Sequence, residues 1–355
     1  MTIESLVQDP LFSLTASRSE QDWDRIEQAE RAASSYITTP RDAELNDRID
    51  GLIRRVLTRK DLNAELSREN RLKGRAEIIV GGSGAGKTRA IEKAILRQSS
   101  LRPTDGAEPT RPLLSINAPE NPSPRALYMR LLNATGYPLV SVPSTEVVLQ
   151  RFKSQALKLG VVIIHVDDAA NLIVGQDSFR RRRAAERMAA CFRGLMEDDN
   201  PISLIISGLD PVLDLVRYDE AFGRRAEVLN FYPVRENEIK SLARTIHDRA
   251  KTAGLAFAPE KEMIERLVHA ASGQLGLALE MSWQAMAVAT ERCTSAAAPR
   301  NLESVDFAAI YHRRTACGFG LNVFETPDWR RIDTSETIPR ILDDRSTQAS
   351  SRRRK

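Results

Sequence analysis

One glycine-rich segment constrains the fold of this chain more than any other feature. Residues 81–88 read Gly-Gly-Ser-Gly-Ala-Gly-Lys-Thr and match the pattern G-x-x-x-x-G-K-[ST]. The apolar run 76–80 before it predicts a buried strand, and the apolar spacing within 87–95 predicts a helix after it. A glycine-rich turn can match the pattern by chance, but this strand–loop–helix context favours a P-loop in an α/β fold.

The residue types of the segment indicate which ligand it binds. Small residues let backbone N–H groups converge on an anion, and the N-terminus of the following helix adds partial positive charge. We expect the Lys87 ammonium to reach the β- and γ-phosphates of ATP and the Thr88 hydroxyl to hold Mg²⁺. The expected phosphate-binding residues are Gly81, Gly82, Ser83, Gly84, Ala85, Gly86, Lys87 and Thr88.

Strand and helix patterns alternate through the centre of the chain. Further apolar runs at 113–117, 161–166, 201–207 and 228–231 predict strands, with helical spacing between them. This alternation predicts a parallel sheet with helices on both faces. From 235 to 314 the pattern is helical only, which predicts a second, small all-helical domain.

The two ends of the chain lack the chemistry of the centre. Residues 1–38 predict a polar helical arm, and its role stays open between a brace and a partner-docking arm. A helix after Thr39 is expected to brace the nucleotide-binding domain, which we place at 39–234. The segment 315–355 lacks periodic apolar spacing, so we expect most of it to be disordered.

Length and composition exclude several classes of protein. With 355 residues the chain can bury one substantial core and a smaller domain. Its three cysteines lack metal-ligand spacing, which argues against a disulfide framework and for a reducing cytoplasm. No apolar run is long enough to span a bilayer and residues 1–5 lack the features of a signal peptide, so we expect a cytoplasmic protein without membrane partners.

Two acids close the third apolar run. Ligands of open α/β sheets gather at the carboxyl ends of strands, so Asp167 is expected to bind Mg²⁺, through water or beside Thr88. Asp168 is expected to orient the attacking water or to accept its proton. The alternative, in which both acids only cap the next helix, is weaker beside a P-loop.

These features together resemble the AAA+ class of P-loop ATPases, and within it the transposition ATPases of the TniB type. The resemblance covers 40–314 and implies a parallel AAA+ sheet followed by a helical lid domain. The P-loop and the Asp-Asp strand are specific to P-loop ATPases, whereas the order of weaker stretches points to the TniB type. Those weaker stretches lie at 37–40, 117–119, 136–138 and 207–233.

The resemblance assigns four further residues. Ser207 falls at the strand-end position that senses the γ-phosphate, and Asn117 would hold the Asp168 carboxylate away from the water until a partner binds. Arg225 falls at the position of the arginine finger, which completes the site of a neighbouring subunit in an oligomer. Arg224 is the competing choice, and both arginines also fit a solvated basic pair.

The chain departs from the family pattern at two places. The family usually has Asp-Glu where this chain has Asp167-Asp168, and the shorter side chain sets the second carboxylate back by one methylene. Because water positioning is sensitive to such displacements, we predict slow hydrolysis that suits a switch. Residues 273–276 lack the arginine that many AAA+ proteins carry there, so that sensor role is unassigned.

A run of arginines begins the helix after the Asp-Asp strand. It comprises Arg180, Arg181, Arg182 and Arg183. In the resembling ATPases this region lines the inner face of a ring or helical assembly that tracks DNA. Arginine suits phosphate and only 5% of residues are aromatic, so we expect contacts to the backbone of double-stranded DNA rather than to its bases. A solvated basic turn or a protein-docking patch is the alternative.

The resemblance and these sites lead to one main functional hypothesis. The protein is expected to be an ATP-binding and slowly hydrolysing regulator of DNA transposition. It would self-assemble into a ring or helical filament on target DNA and recruit transposase. The alternatives are a replication-initiation or helicase-loading ATPase, and a signalling ATPase switch without DNA. We see no room for a winged-helix DNA reader after the helical domain, which argues against the first alternative, and the arginine run argues against the second.

Overall fold

The structure is a computed structural model in which two units are described separately. The described residues fall into one compact unit over Thr38–Pro233 and a second that begins at Val234. Of the predicted arm 1–38, only Ser19, Trp23 and Thr38 are described. The structure describes residues 38–336 except 68, 107, 139–142, 293–299 and 319, together with Ser19, Trp23 and the backbone of Arg340–Ile341.

The first unit alternates strands and helices. Its described elements, in chain order, are α1 (Pro40–Leu57), β1 (Ala76–Gly81), α2 (Lys87–Arg97), β2 (Leu113–Asn117), α3 (Pro124–Ala134), α4 (Thr145–Lys158), β3 (Ile163–Asp167), α5 (Ser178–Glu197), β4 (Ser203–Gly208), α6 (Asp214–Tyr218), α7 (Glu220–Gly223) and β5 (Ala226–Phe231).

Local side-chain contacts explain where three of these helices begin. Thr39 and Asp42 form a capping box at the start of α1. The Ser123 hydroxyl caps α3, and the Asp177 carboxylate caps α5 by accepting the Arg180 backbone N–H at 2.7 Å. The cap on α5 fixes where this helix begins, and the arginine run 180–183 lies in its first turns.

The five strands form one parallel sheet in the order β2-β3-β4-β1-β5. Strands β1, β3 and β4 are buried along their whole length, which is why they read as near-continuous apolar runs. The predicted α/β class, with a parallel sheet between helices, is therefore confirmed. Strand β4 lies between the P-loop strand β1 and strand β3, which ends in Asp167.

One face of the sheet, here called the apolar face, is hydrophobic on four strands and packs against α3, α4 and α5. The covering helices contribute Leu127, Phe152 and Phe192 to the same core. The strand residues of the apolar face are Ala76, Ile78, Val80, Leu114, Ile116, Ile164, Val166, Leu204 and Ile206.

The opposite face, here called the polar face, is covered by α1 and α2. Alternation along the strands places Glu77 of β1, Ser115 of β2, His165 and Asp167 of β3, and Ser207 of β4 on this face. Apart from Ser115, these polar side chains are all buried. The face therefore combines a core with a set of groups that need hydrogen-bond partners.

The second unit is a helical bundle. Its described helices are α8 (Ile239–Thr252), α9 (Lys261–Ala270), α10 (Leu275–Arg292) and α11 (Ser304–Thr315), and a short antiparallel pair β6 (Ile332–Asp333) and β7 (Arg340–Ile341) follows them. Ile246, Leu267, Met281 and Phe307 build its core. Within the described part of the chain, no helix has the length and apolar character needed to cross a membrane.

The expectation that the chain is mostly disordered from residue 315 is wrong for the described residues 316–318 and 320–334. Val323, Phe324, Trp329 and Ile332 are buried in the same core as the helices, and the Arg266 guanidinium donates to the Thr326 carbonyl oxygen at 2.9 Å. Apart from a 3₁₀ turn at Trp329–Arg331 and the two-residue strand β6, its described residues form no regular element, so its apolar residues have no period that a sequence pattern would detect. Residues 337–339 and 342–355 lie outside the described residues.

Candidate active site

The P-loop adopts a backbone that only glycine accommodates at several positions. Gly84 and Gly86 have φ values of +77° and +89°, in the left-handed region. A Cβ on Gly81 would lie 2.8 Å from the Cβ of Phe231 on β5, so a side chain there would push the loop off the sheet. Helix α2 then begins at Lys87, with its N-terminal N–H groups at the loop.

Lys87 is folded back onto the loop. Its ammonium donates to the carbonyl oxygens of Gly81 at 2.8 Å and of Gly82 at 2.9 Å. Burial lowers the pKa of Lys87, although the charges of Asp167, Asp168 and Asp210 act in the opposite direction. The phosphates of a nucleotide would compete with the two carbonyl oxygens for this ammonium.

Asp167 is held by three donors at the end of β3. The Thr88 hydroxyl donates to Oδ2 at 2.6 Å, the Ser207 hydroxyl to Oδ1 at 2.5 Å and the Asp168 backbone N–H to Oδ1 at 2.9 Å. Burial alone would raise the pKa of Asp167, but these hydrogen bonds outweigh it and the pKa is lowered. The carboxylate therefore stays ionised.

Thr88 and Asp167 fit Mg²⁺ as predicted from sequence. Both offer hard oxygen atoms, and Mg²⁺ typically takes one or two protein oxygens while phosphates and water supply the rest. The hydroxyl proton of Thr88 points to Asp167, which leaves the oxygen lone pairs for the metal. Bound there, Mg²⁺ would neutralise charge on the β- and γ-phosphates.

Ser207 makes a different contact from the one that the resemblance implies. Its side chain is 0% exposed, and its hydroxyl donates to Asp167 rather than facing the mouth of the site. His165 Nε2 lies 3.0 Å from the same oxygen, and the Ser115 hydroxyl lies 2.9 Å from His165 Nδ1. Burial lowers the pKa of His165 to about 4, so the imidazole is neutral at physiological pH.

His165 and Asp210 are site residues that sequence reasoning missed. His165 was hidden in the apolar run of β3, but as the polar exception two positions before Asp167 it had to share that residue's face. Asp210 follows β4 at the same sheet edge, and its charge acts on Lys87. An acid three residues after Ser207 was the available signal for it.

Asp168 and Asn117 reach the same edge of the sheet but do not interact as expected. Asp168 has a left-handed backbone with φ +51° and an exposed side chain, and Asn117 pairs in register with Asp167. Among the described residues, no hydrogen bond joins the Asn117 amide to the Asp168 carboxylate. The predicted restraint of Asp168 by Asn117 is therefore absent from this structure.

Arg224 and Arg225 lie at the other end of the sheet from the P-loop. The Arg225 carbonyl oxygen accepts the Ala76 N–H at the start of β1, and the length of β1, about 17 Å, separates that point from Gly81. Arg225 pairs with Glu197 at 2.8 Å, whereas the Arg224 side chain is 74% exposed. Neither arginine can reach the nucleotide site of its own chain.

The arginines of the run 180–183 in α5 have different partners. Arg181 Nε donates to the buried Asp214 at 2.6 Å, and this bond ties α5 to α6. Arg182 pairs with Glu186 at 2.7 Å, and Arg180 lies 3.5 Å from Asp177.

Two arginines of α5 have no acidic partner in the part of the chain that the structure describes. Arg183 stacks on Phe179, with its guanidinium 5.3 Å from the ring centroid. Among the described residues, Arg183 and the neighbouring Arg187 form no ion pair with a carboxylate.

A cavity of about 320 Å³ lies beside α5, and we call it the arginine groove. Arginines 180, 183 and 187 supply its charge, because spacings of three and four residues place them on one side of the helix. The loop after β2 forms part of the same groove. Its apolar lining is Pro122, Leu172, Phe179, Ala184 and Met188.

The chain matches the family described as bacterial TniB protein over residues 51–235, just over half of its length. Its fold is similar to that of Cdc6p from Pyrobaculum aerophilum, with a TM-score of 0.54, 16% identity and coverage of 78% of this chain and 68% of that one. The ORC2 protein of Aeropyrum pernix, in complexes with ADPNP and ADP, gives a TM-score of 0.52 at 15% identity, with coverage of 79% and 69%. No curated protein matches the chain. By its family match, its parallel sheet and its P-loop, the chain belongs to the TniB family and is an ATPase of the AAA+ fold.

Proposed function

We propose that this ATPase regulates DNA transposition: it binds ATP and Mg²⁺ at the P-loop, assembles on double-stranded target DNA, recruits transposase and comes apart after slow hydrolysis. Its membership of the TniB family supports the transposition context. The arginine groove carries the DNA-binding part of the proposal, because it collects three guanidinium groups on one side of a single helix.

The contacts of α5 leave three of its arginines available for DNA binding and exclude Arg181 from that role. Arg181 neutralises a buried carboxylate, so it holds the fold together and is not available to phosphate. Arg183 and Arg187 are exposed and have no acidic partner among the described residues, and Arg180 shares their side of the helix. Guanidinium groups spaced along a helix can contact successive phosphates without reading bases.

The segment 168–177 connects the metal site to the arginine groove. It begins directly after Asp167 and ends at the cap of α5. Leu172 and Ile173 are buried, and a Cβ on Gly175 would lie only 2.4 Å from the Arg181 backbone nitrogen. Because the connection is packed rather than loose, a change at Asp167 can move the start of α5 and with it the groove.

Assembly would complete the nucleotide site in this proposal. Arg224 and Arg225 cannot reach the P-loop of their own chain, so either could act as an arginine finger only in a neighbouring copy. Arg225 would first have to leave Glu197, whereas Arg224 is already exposed. Slow hydrolysis is supported by the short Asp168 side chain and by the attachment of Lys87 to two loop carbonyls.

A pair of single substitutions on α5 tests the DNA proposal. Arg187→Ala removes a groove arginine, and Arg182→Ala removes the same charge from the same helix outside the groove. Anisotropy of a labelled duplex, with an ATP analogue and at several salt concentrations, gives the affinity and its salt slope. We expect Arg187→Ala to weaken binding to every sequence and to reduce the slope by about 0.9, since one phosphate contact is lost.

The control separates groove binding from general charge. Arg182→Ala should change the slope by much less, because Arg182 is already paired with Glu186. The double variant Arg183→Ala with Arg187→Ala should reduce the slope by roughly twice as much as Arg187→Ala. Equal effects of Arg187→Ala and Arg182→Ala, or no effect of the double variant, would show that the groove is not the DNA site.

A further inference from the structure

A chain of hydrogen bonds crosses three strands and ends at the metal site. It starts at Ser115 on β2, passes through His165 on β3 and reaches Ser207 on β4, which donates to Asp167. The three links measure 2.9, 3.0 and 2.5 Å. Thr88 donates to the second oxygen of the same carboxylate.

The number of available protons decides which group donates in each of these hydrogen bonds. The Ser207 hydroxyl has one proton, and it lies 2.5 Å from Asp167 Oδ1 but 3.5 Å from the Val166 carbonyl oxygen. The proton therefore belongs to the Asp167 bond, and His165 must carry its own proton on Nε2 to donate to the Ser207 oxygen. In the neutral imidazole, Nδ1 then accepts the Ser115 hydroxyl proton.

Because the Ser207 hydroxyl is buried, protein groups alone orient it: His165 and Asp167 at short distance, and the Val166 carbonyl oxygen at 3.5 Å. Ser207 is 0% exposed and His165 is 2% exposed, so bulk water does not compete for either group. A hydroxyl without the imidazole donor could rotate away from Asp167 towards the Val166 carbonyl oxygen. The Asp167 carboxylate would then lose one of its three donors and part of its fixed direction.

We propose that His165 is a positioning residue for the metal site, which acts through Ser207 to hold the Asp167 carboxylate beside Thr88. The inference rests on the ATP–Mg²⁺ site and not on the proposed DNA-binding role. It gives a function to a buried imidazole that hydrolysis does not use directly. It also assigns the Ser207 hydroxyl to the carboxylate rather than to the γ-phosphate.

The test compares His165→Leu with His165→Gln. Leucine fills the site without a donor, whereas the glutamine amide nitrogen can take the place of Nε2 and donate to Ser207. Mn²⁺ affinity of the complex with ADP, measured by electron paramagnetic resonance, reports on Asp167 without any turnover. We expect His165→Leu to weaken Mn²⁺ binding by about 10- to 100-fold, as is typical when a partner of a metal ligand is lost, and His165→Gln to restore most of it.

Two further measurements distinguish positioning from simple core filling. ADP affinity in EDTA and the melting temperature should stay near wild type in the glutamine variant, because neither depends on the metal. Ser115→Ala removes the more remote link and should weaken Mn²⁺ binding in the same direction but by less. Unchanged Mn²⁺ affinity in His165→Leu, or equal loss in folded Leu and Gln variants, would overturn the inference.

A third variant keeps the test decisive if His165→Leu does not fold. His165→Asn places its amide at the position of Nδ1, too short to reach Ser207, so it should bind Mn²⁺ more weakly than His165→Gln. Equal Mn²⁺ affinity in the Asn and Gln variants would contradict the role of the Nε2 donor. None of these experiments measures DNA binding, so a result that contradicts the role of His165 would not contradict the proposed DNA-binding role.

Discussion

The two faces of the central sheet are built from the same strands but do different things. On the apolar face, strand residues such as Ile78, Val166 and Ile206 pack against three helices. On the polar face, Glu77, His165 and other polar side chains are buried between the sheet and α1 and α2. The comparison shows that one face carries the stability while the other carries the chemistry.

The polar face is stable because its buried groups are paired. Arg48 of α1 donates to Glu77 at 3.2 Å. The Ser207 hydroxyl accepts from His165 and donates to Asp167. A buried polar group without a partner would cost about 1–3 kcal/mol, so each of these bonds contributes to the stability of the fold. On the apolar face, by contrast, only shape and volume matter.

Phe192→Ala should produce the largest change in stability, and it lies on the apolar side. Phe192 is fully buried in α5, with its ring 6.3 Å from that of Phe222. Truncation leaves a cavity and should lower the free energy of unfolding by about 3–5 kcal/mol, measured by urea denaturation. Hydrolysis per folded molecule should stay close to wild type, because the contacts of Asp167 lie on the other face.

The comparison fails if Phe192→Ala reduces hydrolysis by more than the loss of folded protein explains. Phe192→Leu serves as the control, since it keeps most of the volume and should destabilise by less than half as much.

Asp167→Asn should show the reverse behaviour on the polar face. Asparagine keeps the volume, but its single amide oxygen can accept from only one of Thr88 and Ser207, and it loses the negative charge that Mg²⁺ requires. We expect single-turnover hydrolysis to fall by on the order of 100-fold or more, which corresponds to about 3 kcal/mol of lost charge stabilisation. The free energy of unfolding should change far less than in Phe192→Ala.

A charge-matched control for this variant is Asp199→Asn, an exposed acid beyond the end of α5. It should leave hydrolysis unchanged. If Asp167→Asn hydrolyses ATP at the wild-type rate, the assignment of the metal site is wrong.

Glu77→Gln should have the smallest effect, visible only as a change in pH dependence. Burial raises the pKa of Glu77 to about 7 although Arg48 lies nearby, whereas the ordinary value is 4.5. The folded state therefore binds the proton more tightly than the unfolded chain does. The resulting stabilisation is fully present below pH 4.5 and is lost as the pH rises to about 7.

Urea denaturation between pH 5 and pH 8 measures this contribution. In the wild type, Glu77 should make the free energy of unfolding fall by roughly 2–3 kcal/mol across the range, and Glu77→Gln should remove that part of the slope. Glu227→Gln is the control, because Glu227 also contacts Arg48 but its side chain is 56% exposed. An unchanged slope in Glu77→Gln would show that Glu77 is ionised in the fold throughout this range.

Local patterns in the sequence were enough to predict the P-loop and the α/β class, and they indicate Asp167 as the candidate metal-binding acid. A P-loop needs glycine at Gly84 and Gly86 and a helix that starts at Lys87, and all of this lies within a few neighbouring residues. Strands buried on both faces are also readable, because most positions along them are apolar. Asp167 was predictable since it is the last residue of such a strand.

The hydrogen bonds behind Asp167 join residues that are far apart in the sequence. Ser115 and His165 are 50 positions apart, and His165 and Ser207 are 42 apart, yet the strand order makes them neighbours on the polar face. The sequence contains no local trace of these pairings, because the three residues lie on three different strands and no neighbouring residue specifies the partner of any of them.

The same reason separates the arginines of α5. Arg181 and Arg183 are equivalent in the sequence run. In the structure, Arg181 forms an ion pair with the buried carboxylate of Asp214 on α6, while Arg183 lines the groove. Arg187 belongs to the groove although it lies outside the run, because the helical repeat and not adjacency decides which side chains share a side. The P-loop motif was therefore enough to indicate nucleotide binding. The partners of the arginines on α5, in contrast, depend on how the helices pack against one another.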